Sequence, residues 1–160
     1  MMWVCRPGKH GKDYELVKKY GDVFLGWTGY HADFHGINTM EAFKEIVVAE
    51  KDPSAATTIS TWAGQLYSFC CVMKSDDFVL IPDANSRNFM LAVIDGDYRY
   101  EKERQYPHVR SIRILYEGIS RSSFSQATQY SLGAYRTIFK VKQENEVINV
   151  AKAIYKVNGI

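Results

Sequence analysis

Cysteine is scarce in this 160-residue chain, with Cys5, Cys70 and Cys71 alone. An odd count with an adjacent pair speaks against a disulfide framework and for reduced, buried thiols, which points to a cytoplasmic protein. No apolar run reaches the length of a membrane span, and no charged-then-apolar stretch opens the chain as a signal peptide would, so no membrane partner is expected. The net charge is only +2, which excludes a polybasic coat protein and leaves room for a local basic face. There is no internal repeat and no low-complexity segment.

The chemistry of common active sites is also missing. Gly8 to Gly11 lacks the Gly-Lys-Ser/Thr ending of a phosphate-binding P-loop, and no Gly-x-Ser-x-Gly elbow occurs. A zinc site needs clustered Cys and His; Cys70 and Cys71 are adjacent, and His31 with His35 has no evident third ligand, so they read as a polar loop. Asp76-Asp77 and Glu101-Lys102-Glu103 lack the other half of a metal-dependent nuclease site. A catalytic residue, a metal and a cofactor are therefore not expected, and an enzyme is the weaker reading.

What the chain does have is aromatic rings: 14% of its residues, with 11 Tyr, 8 Phe and 3 Trp. Such residues build cores and also flat surfaces on which bases stack. Hydrophobic residues at 46% and charged residues at 24% are globular proportions, enough for one domain over residues 1–160. The spacing predicts strands at 2–6, 23–27, 78–81, 89–94, 98–100, 110–116 and 135–141. Helices are expected at 13–20 with Gly21 as the stop, from Thr39 over Met40, Phe43, Ile46 and Val47, and from about Ser60 to Lys74. The last has Trp62, Leu66, Phe69 and Met73 on one face. Ser120 is expected to cap a short turn near Phe124, and a helical segment at 144–157 closes the chain. Uneven interleaving of strands and helices argues for an α+β fold in which a small curved sheet curls toward a barrel with helices on its flank.

Several ordered segments carry a resemblance. They are Met2-Trp3-Val4-Cys5-Arg6-Pro7-Gly8-Lys9-His10-Gly11, Val23-Phe24-Leu25-Gly26-Trp27, Trp62-Ala63-Gly64-Gln65-Leu66, Phe78-Val79-Leu80-Ile81-Pro82 and Ile94-Asp95-Gly96-Asp97-Tyr98-Arg99-Tyr100. His108-Val109-Arg110, Ile112-Arg113-Ile114, Ile119-Ser120-Arg121-Ser122-Ser123-Phe124 and Tyr130-Ser131-Leu132-Gly133-Ala134 complete the set. Together they resemble the N-terminal domain of Mrr-type (type IV-like) restriction endonucleases, which is similar to EVE, YTH and other PUA-like domains. The resemblance implies a pseudo-barrel that holds a flipped-out modified base in an aromatic cage. It further implies double-stranded DNA with a modified base as the partner, and a restriction or host-defence role with a nuclease or ATPase domain fused or acting in trans. Asp76-Asp77 stands where the family often has Gly-Asp, and Leu115 where relatives often carry Trp. An RNA-modification reader of the same superfamily and a small hydrolase are the alternatives.

For such a pocket the residues offer candidates. Trp27 ends an apolar strand and enters a glycine-containing loop, as a pocket wall or a core plug. Tyr30 lies in that loop, and Asp33 after it offers an acceptor to an exocyclic amine. Trp62 opens the long helix, with core the stronger alternative; Gln65 has an amide able to read a base edge. Tyr98 shares a face with Tyr100 after the Gly96 bend. For the nucleic-acid backbone the candidates are Arg6, Lys9, His10 and Lys12 in the first glycine-rich loop, Ser86 and Arg87 before a strand, and Arg110 and Arg121, with Arg113 a further possible addition to that face. Each of these cations has an ordinary solvated surface as its alternative.

Overall fold

The apolar runs become strands that are buried on both faces. The computed structural model describes residues 1–157, with side chains through Ile154. In β1 (Met2–Cys5), β3 (Phe78–Pro82) and β4 (Asn88–Ile94), alternate side chains enter two different cores. Trp3, Cys5, Val79, Ile81, Met90, Ala92 and Ile94 face one core; Met2, Val4, Leu80, Phe89 and Leu91 face the other. Side chains alternate across a strand, so continuous apolar runs are what a doubly covered sheet requires.

Helices supply both covers. On the first face lie α2 (Met40–Lys51) and α3 (Ala56–Tyr67), through Phe43, Val47, Ala63 and Leu66. On the second lie α4 (Gln126–Leu132) and α5 (Glu144–Val157), through Leu132, Val147 and Ala151. The helices thus flank the sheet on both of its faces. The short α1 (Tyr14–Tyr20) ends at Gly21, whose left-handed backbone (φ 67°) accommodates the stop.

The sheet runs β2-β6-β4-β3-β1-β7, where β2 is Asp22–Phe24, β6 is His108–Ser120 and β7 is Ile138–Lys140; β5 (Arg99–Tyr100) pairs with β6 off this path. β1 and β3 are parallel and every other pair is antiparallel. The start of β6 pairs with β2 and β5, and its remainder pairs with β4. A register shift near Leu91 adds Leu115 as an extra residue, the kind of bulge that bends a strand and sharpens its twist. The fold is α+β with a curved sheet.

Several boundaries move relative to the sequence reading. α3 starts at Ala56, not Ser60, and beyond Tyr67 it continues as a wider π turn over Ser68–Val72, closed by the Met73 amide donating to the Ser68 carbonyl at 2.8 Å. Thr39 caps α2, accepting from the Ala42 amide at 3.2 Å, as expected of it. Asp13 caps nothing with its side chain; that carboxylate accepts from the Tyr106 hydroxyl at 2.6 Å. α4 has no sequence signal, because only Thr128 and Leu132 of its seven residues are buried.

Two polar side chains belong to this framework. Arg110 is 2% exposed, and its guanidinium donates to the carbonyls of Gly96 (3.2 and 2.8 Å), Phe69 (3.1 Å) and Met73 (2.5 Å). The wide turn leaves carbonyls without helical partners, and one planar fork satisfies them. Arg110 is therefore a core residue that stitches α3 to the β4–β5 turn, not a contact for a nucleic-acid backbone. His108 is equally buried. Its Nε2 sits 2.7 Å from the Tyr30 carbonyl and so carries the proton; its Nδ1 lies 2.6 Å from the Tyr98 hydroxyl, which donates to it while accepting from the Phe34 amide at 3.1 Å. Tyr98, expected in the pocket, is 7% exposed and belongs to this interior chain.

Replacing Arg110 with Met would leave the buried carbonyls of Phe69 and Met73, and the part-buried one of Gly96, without their guanidinium donors. At about 1–3 kcal/mol for each unsatisfied group, a loss of about 3 kcal/mol or more is expected from urea unfolding. Burial holds the His108 imidazole below its ordinary value near 6.5, against the smaller opposing pulls of the Tyr30 carbonyl and the Asp33 charge. The unfolded chain then takes up the proton first as pH falls. The His108 contribution is complete above pH ~6.5 and declines below it until the folded form is protonated too. The urea midpoint of the wild type should drop more between pH 7.5 and 5 than that of His108→Gln; equal drops would show that His108 is not the group responsible.

Candidate functional site

The loops at the carboxyl end of β1 surround a cleft of about 850 Å³. Six segments form it: the loop after β1, the loop leaving β2, the end of α2 at Lys51, the outer side of α3, the loop before β6 at Tyr106 and the loop that enters β7. Glycine is what lets the first two meet. A Cβ on Gly26 would lie 2.5 Å from the Gly8 amide nitrogen, and one on Gly8 (φ 77°) would lie 2.0 Å from Asp13 Oδ2. The two backbones touch, and the Asp13 carboxylate packs against Gly8, held by the Tyr106 hydroxyl.

Thr137 joins the remaining walls. Its hydroxyl accepts from Trp27 Nε1 at 3.0 Å, its amide donates to Gln65 Oε1 at 2.9 Å, and its carbonyl accepts from the Arg6 amide at 2.8 Å. Gln65 Oε1 accepts a second bond from the Ile138 amide at 3.0 Å. Two backbone donors on one oxygen fix which end of the amide is which. The Gln65 amide nitrogen, whose one partner among the described residues is a long 3.5 Å contact to the Thr61 carbonyl, is thus a positioned donor in the cleft wall.

Aromatic and basic groups dominate the lining. Trp27, Tyr30, Trp62, Tyr106 and Tyr135 are there, as are Arg6, Lys9, His10, Lys12, Lys51 and Arg136, and the described lining contains no carboxylate. None of those six basic side chains makes an ion pair among the described residues. Tyr30, 4% exposed, forms the floor; Trp27 leans on it at 5.9 Å between ring centroids, and Lys51 Nζ lies 5.7 Å from its centroid. Burial, and then the charge of Glu50, raises the Tyr30 phenol, so the ring stays neutral. Tyr106 stacks on Phe24 at 4.8 Å, and burial with its Asp13 bond pushes its phenol up to about 12. Tyr135 is fully exposed on the rim. That rim is held by Arg6, whose guanidinium donates to the carbonyls of Leu132 (3.0 Å), Ala134 (2.6 Å) and Arg136 (3.1 Å).

Of the residues singled out from sequence, Trp27, Tyr30, Trp62, Gln65, Arg6, Lys9, His10 and Lys12 come together here. Asp33 does not: it is exposed, and its carboxylate accepts from the His35 amide at 2.9 Å and lies 2.6 Å from His35 Nδ1. Ser86 is spent in a turn, donating to Asp83 at 2.9 Å and accepting from the Asn88 amide. Arg87 and Arg121 line a neighbouring cleft. The sequence reading missed Lys51, Thr61, Tyr106, Tyr135, Arg136 and Thr137. The Tyr135-Arg136 pair after Gly133-Ala134 was a usable signal, an aromatic and a cation in a glycine-led loop, hidden because that stretch reads as the start of a strand.

The fold and site define an α+β domain with a cationic, aromatic-walled cleft and no acid among the described residues that line it. The chain belongs to the family described as a domain of unknown function (DUF8426), which matches residues 3–142 and so includes every residue lining the cleft. No curated protein and no solved structure matches it. Among the described residues no helix is long and apolar enough to cross a membrane.

Gln65 separates scaffold from recognition. Gln65→Glu keeps an oxygen for the two backbone amides and removes the amide donor, so the fold should persist. Gln65→Leu orphans both amides and should cost about 2 kcal/mol or more. Thermal unfolding of the two variants checks this; comparable destabilisation by both would show that the carbonyl oxygen is not what matters.

Proposed function

We propose that this domain is a DNA reader: it holds one extruded base, methylated or otherwise modified, in the cleft and has no catalytic role of its own. The observation that carries the reading is the lining, where five Lys or Arg side chains and His10 surround five aromatic rings with no opposing carboxylate. A flipped base loses stacking and pairing, at a cost of a few kcal/mol. Aromatic faces replace the stack at about 1–3 kcal/mol per base. The Gln65 donor serves a ring nitrogen or carbonyl oxygen on the base edge, and the uncompensated cations serve the phosphates on either side.

The cleft volume falls within the range of small-ligand sites, and its curved-sheet setting is compatible with the PUA-like architecture that the sequence resembles. In this reading the domain is the targeting module of a restriction or defence system, with a nuclease or ATPase domain as its effector.

The test is a binding screen across duplexes that each carry one methylated or hydroxymethylated adenine or cytosine, with unmodified duplexes and matched RNA as controls, at two salt concentrations. One modified duplex should bind tightest. Trp27→Ala should lose that preference, while Lys9→Ala should weaken all duplexes alike and lower the salt slope by about 1. Equal affinity for every duplex, or a preference for RNA, would overturn the reading.

A further inference from the structure

A second cleft, of about 370 Å³, opens beside the first and shares Arg6 and His10 with it. Its other walls are Pro82 to Ala84, Arg87 to Phe89, and Arg121. We infer that this cleft binds a phosphodiester of the strand whose base occupies the main cleft, with Arg87 and Arg121 as its principal donors. The inference deepens the DNA-reading proposal and rests on it for the source of the phosphate.

Three observations support it. First, the charges here lack acidic partners among the described residues, the Arg6 guanidinium being held by carbonyls alone. Arg6, Arg87 and Arg121 make no ion pair among the described residues, and Arg121 spends only Nη2, donating to the Gln129 carbonyl at 2.8 Å. The one carboxylate in the wall, Asp83, is engaged in its own turn, accepting from the Asn85 amide at 3.0 Å and from Ser86 Oγ. Second, like charges are held together. The Arg6 guanidinium is lowered from its ordinary value by burial and then by the charge of Arg121. An anion between the two turns that repulsion into attraction. Third, two of the four non-glycine residues with positive φ, His10 (58°) and Arg87 (61°), belong to this cleft. Backbone in that region is costly and concentrates at ligand-binding positions. Because the clefts meet at Arg6 and His10, a base in one places its neighbouring phosphate within reach of the other.

The experiment uses the whole chain with Arg87→Gln and Arg121→Gln, singly and together. Inorganic phosphate at fixed ionic strength should raise the wild-type melting temperature above the value in chloride, and the double variant should lose that rise. With the preferred modified duplex, each single variant should lower the slope of log K against log salt by about 1 and leave the preference for the modified base intact. A phosphate effect that persists in the double variant, or is missing from the wild type, overturns the site. A phosphate effect lost in the double variant with an unchanged slope assigns the site to free phosphate and overturns the phosphodiester. A protein that binds phosphate here but no nucleic acid sinks the DNA reading while the anion site itself stands.

Discussion

The three bonds of Thr137 hold the cleft open. β7 is only three residues long and lies at one end of the sheet order, where no strand among the described residues pairs its outer side. Left to itself, the loop that feeds it would be free to collapse onto α3 or swing away. Instead its last residue uses hydroxyl, amide and carbonyl on three different elements: Trp27 after β2, Gln65 on α3 and Arg6 after β1. Each bond is worth about 1 kcal/mol in net stability, too little to fold a protein and enough to fix the spacing between walls. Arg6 extends the same grip backward along the loop through three carbonyls, which is why a fully exposed Tyr135 is presented in one place.

The same economy explains how a chain of charge +2 carries a strongly cationic cleft. Asp22 and Asp77 are taken up inside the framework, away from the cleft lining. Asp22, 2% exposed, is paired with Arg99 and Arg104; Asp77, 3% exposed, accepts from Trp3 Nε1 at 3.1 Å and from the Lys74 amide at 3.2 Å. Arg110, by contrast, is satisfied entirely by carbonyls, so its burial costs the protein no carboxylate. Potential at a surface depends on which charges remain uncompensated there, not on the net total.

How far sequence reasoning reached follows from which signals are local. Strand alternation and helix period are local, so β1, β3, β4 and α2 were legible almost to the residue. The aromatic and basic loop residues at the cleft were legible as candidates, although Tyr30 and Trp27 also pack on the core, so their loop position did not by itself separate pocket from interior. What was not legible is tertiary choice. Tyr98 and Arg110 carry groups suited to a ligand, but the interior needed a hydroxyl between Phe34 and His108 and a guanidinium for an unsatisfied turn. No pattern along the chain announces a need that arises only when α3 unwinds against β6. Lys51, eleven residues before Trp62, and Thr137, sixteen after Arg121, enter the site purely through folding.

Selectivity in the proposed complex has a limited number of sources. A buried methyl carbon contributes about 0.8 kcal/mol, roughly fourfold in affinity, which alone is a weak means of telling a modified base from the ordinary one. Stacking on Trp27 and Trp62 treats all bases nearly alike, since every base has a π face. The group able to refuse a base is the Gln65 amide, whose orientation is set by the Thr137 and Ile138 amides and cannot reverse without orphaning both. A base that turns a donor toward it leaves two donors facing each other, and a site with a fixed polar group rejects such a mismatch far more strongly than an apolar wall rejects a missing methyl. Under this proposal the identity of the base would be read at one locked amide and the modification by the fit of the aromatic walls around it, and the two readings would reinforce each other because Thr137 holds amide and wall in the same frame.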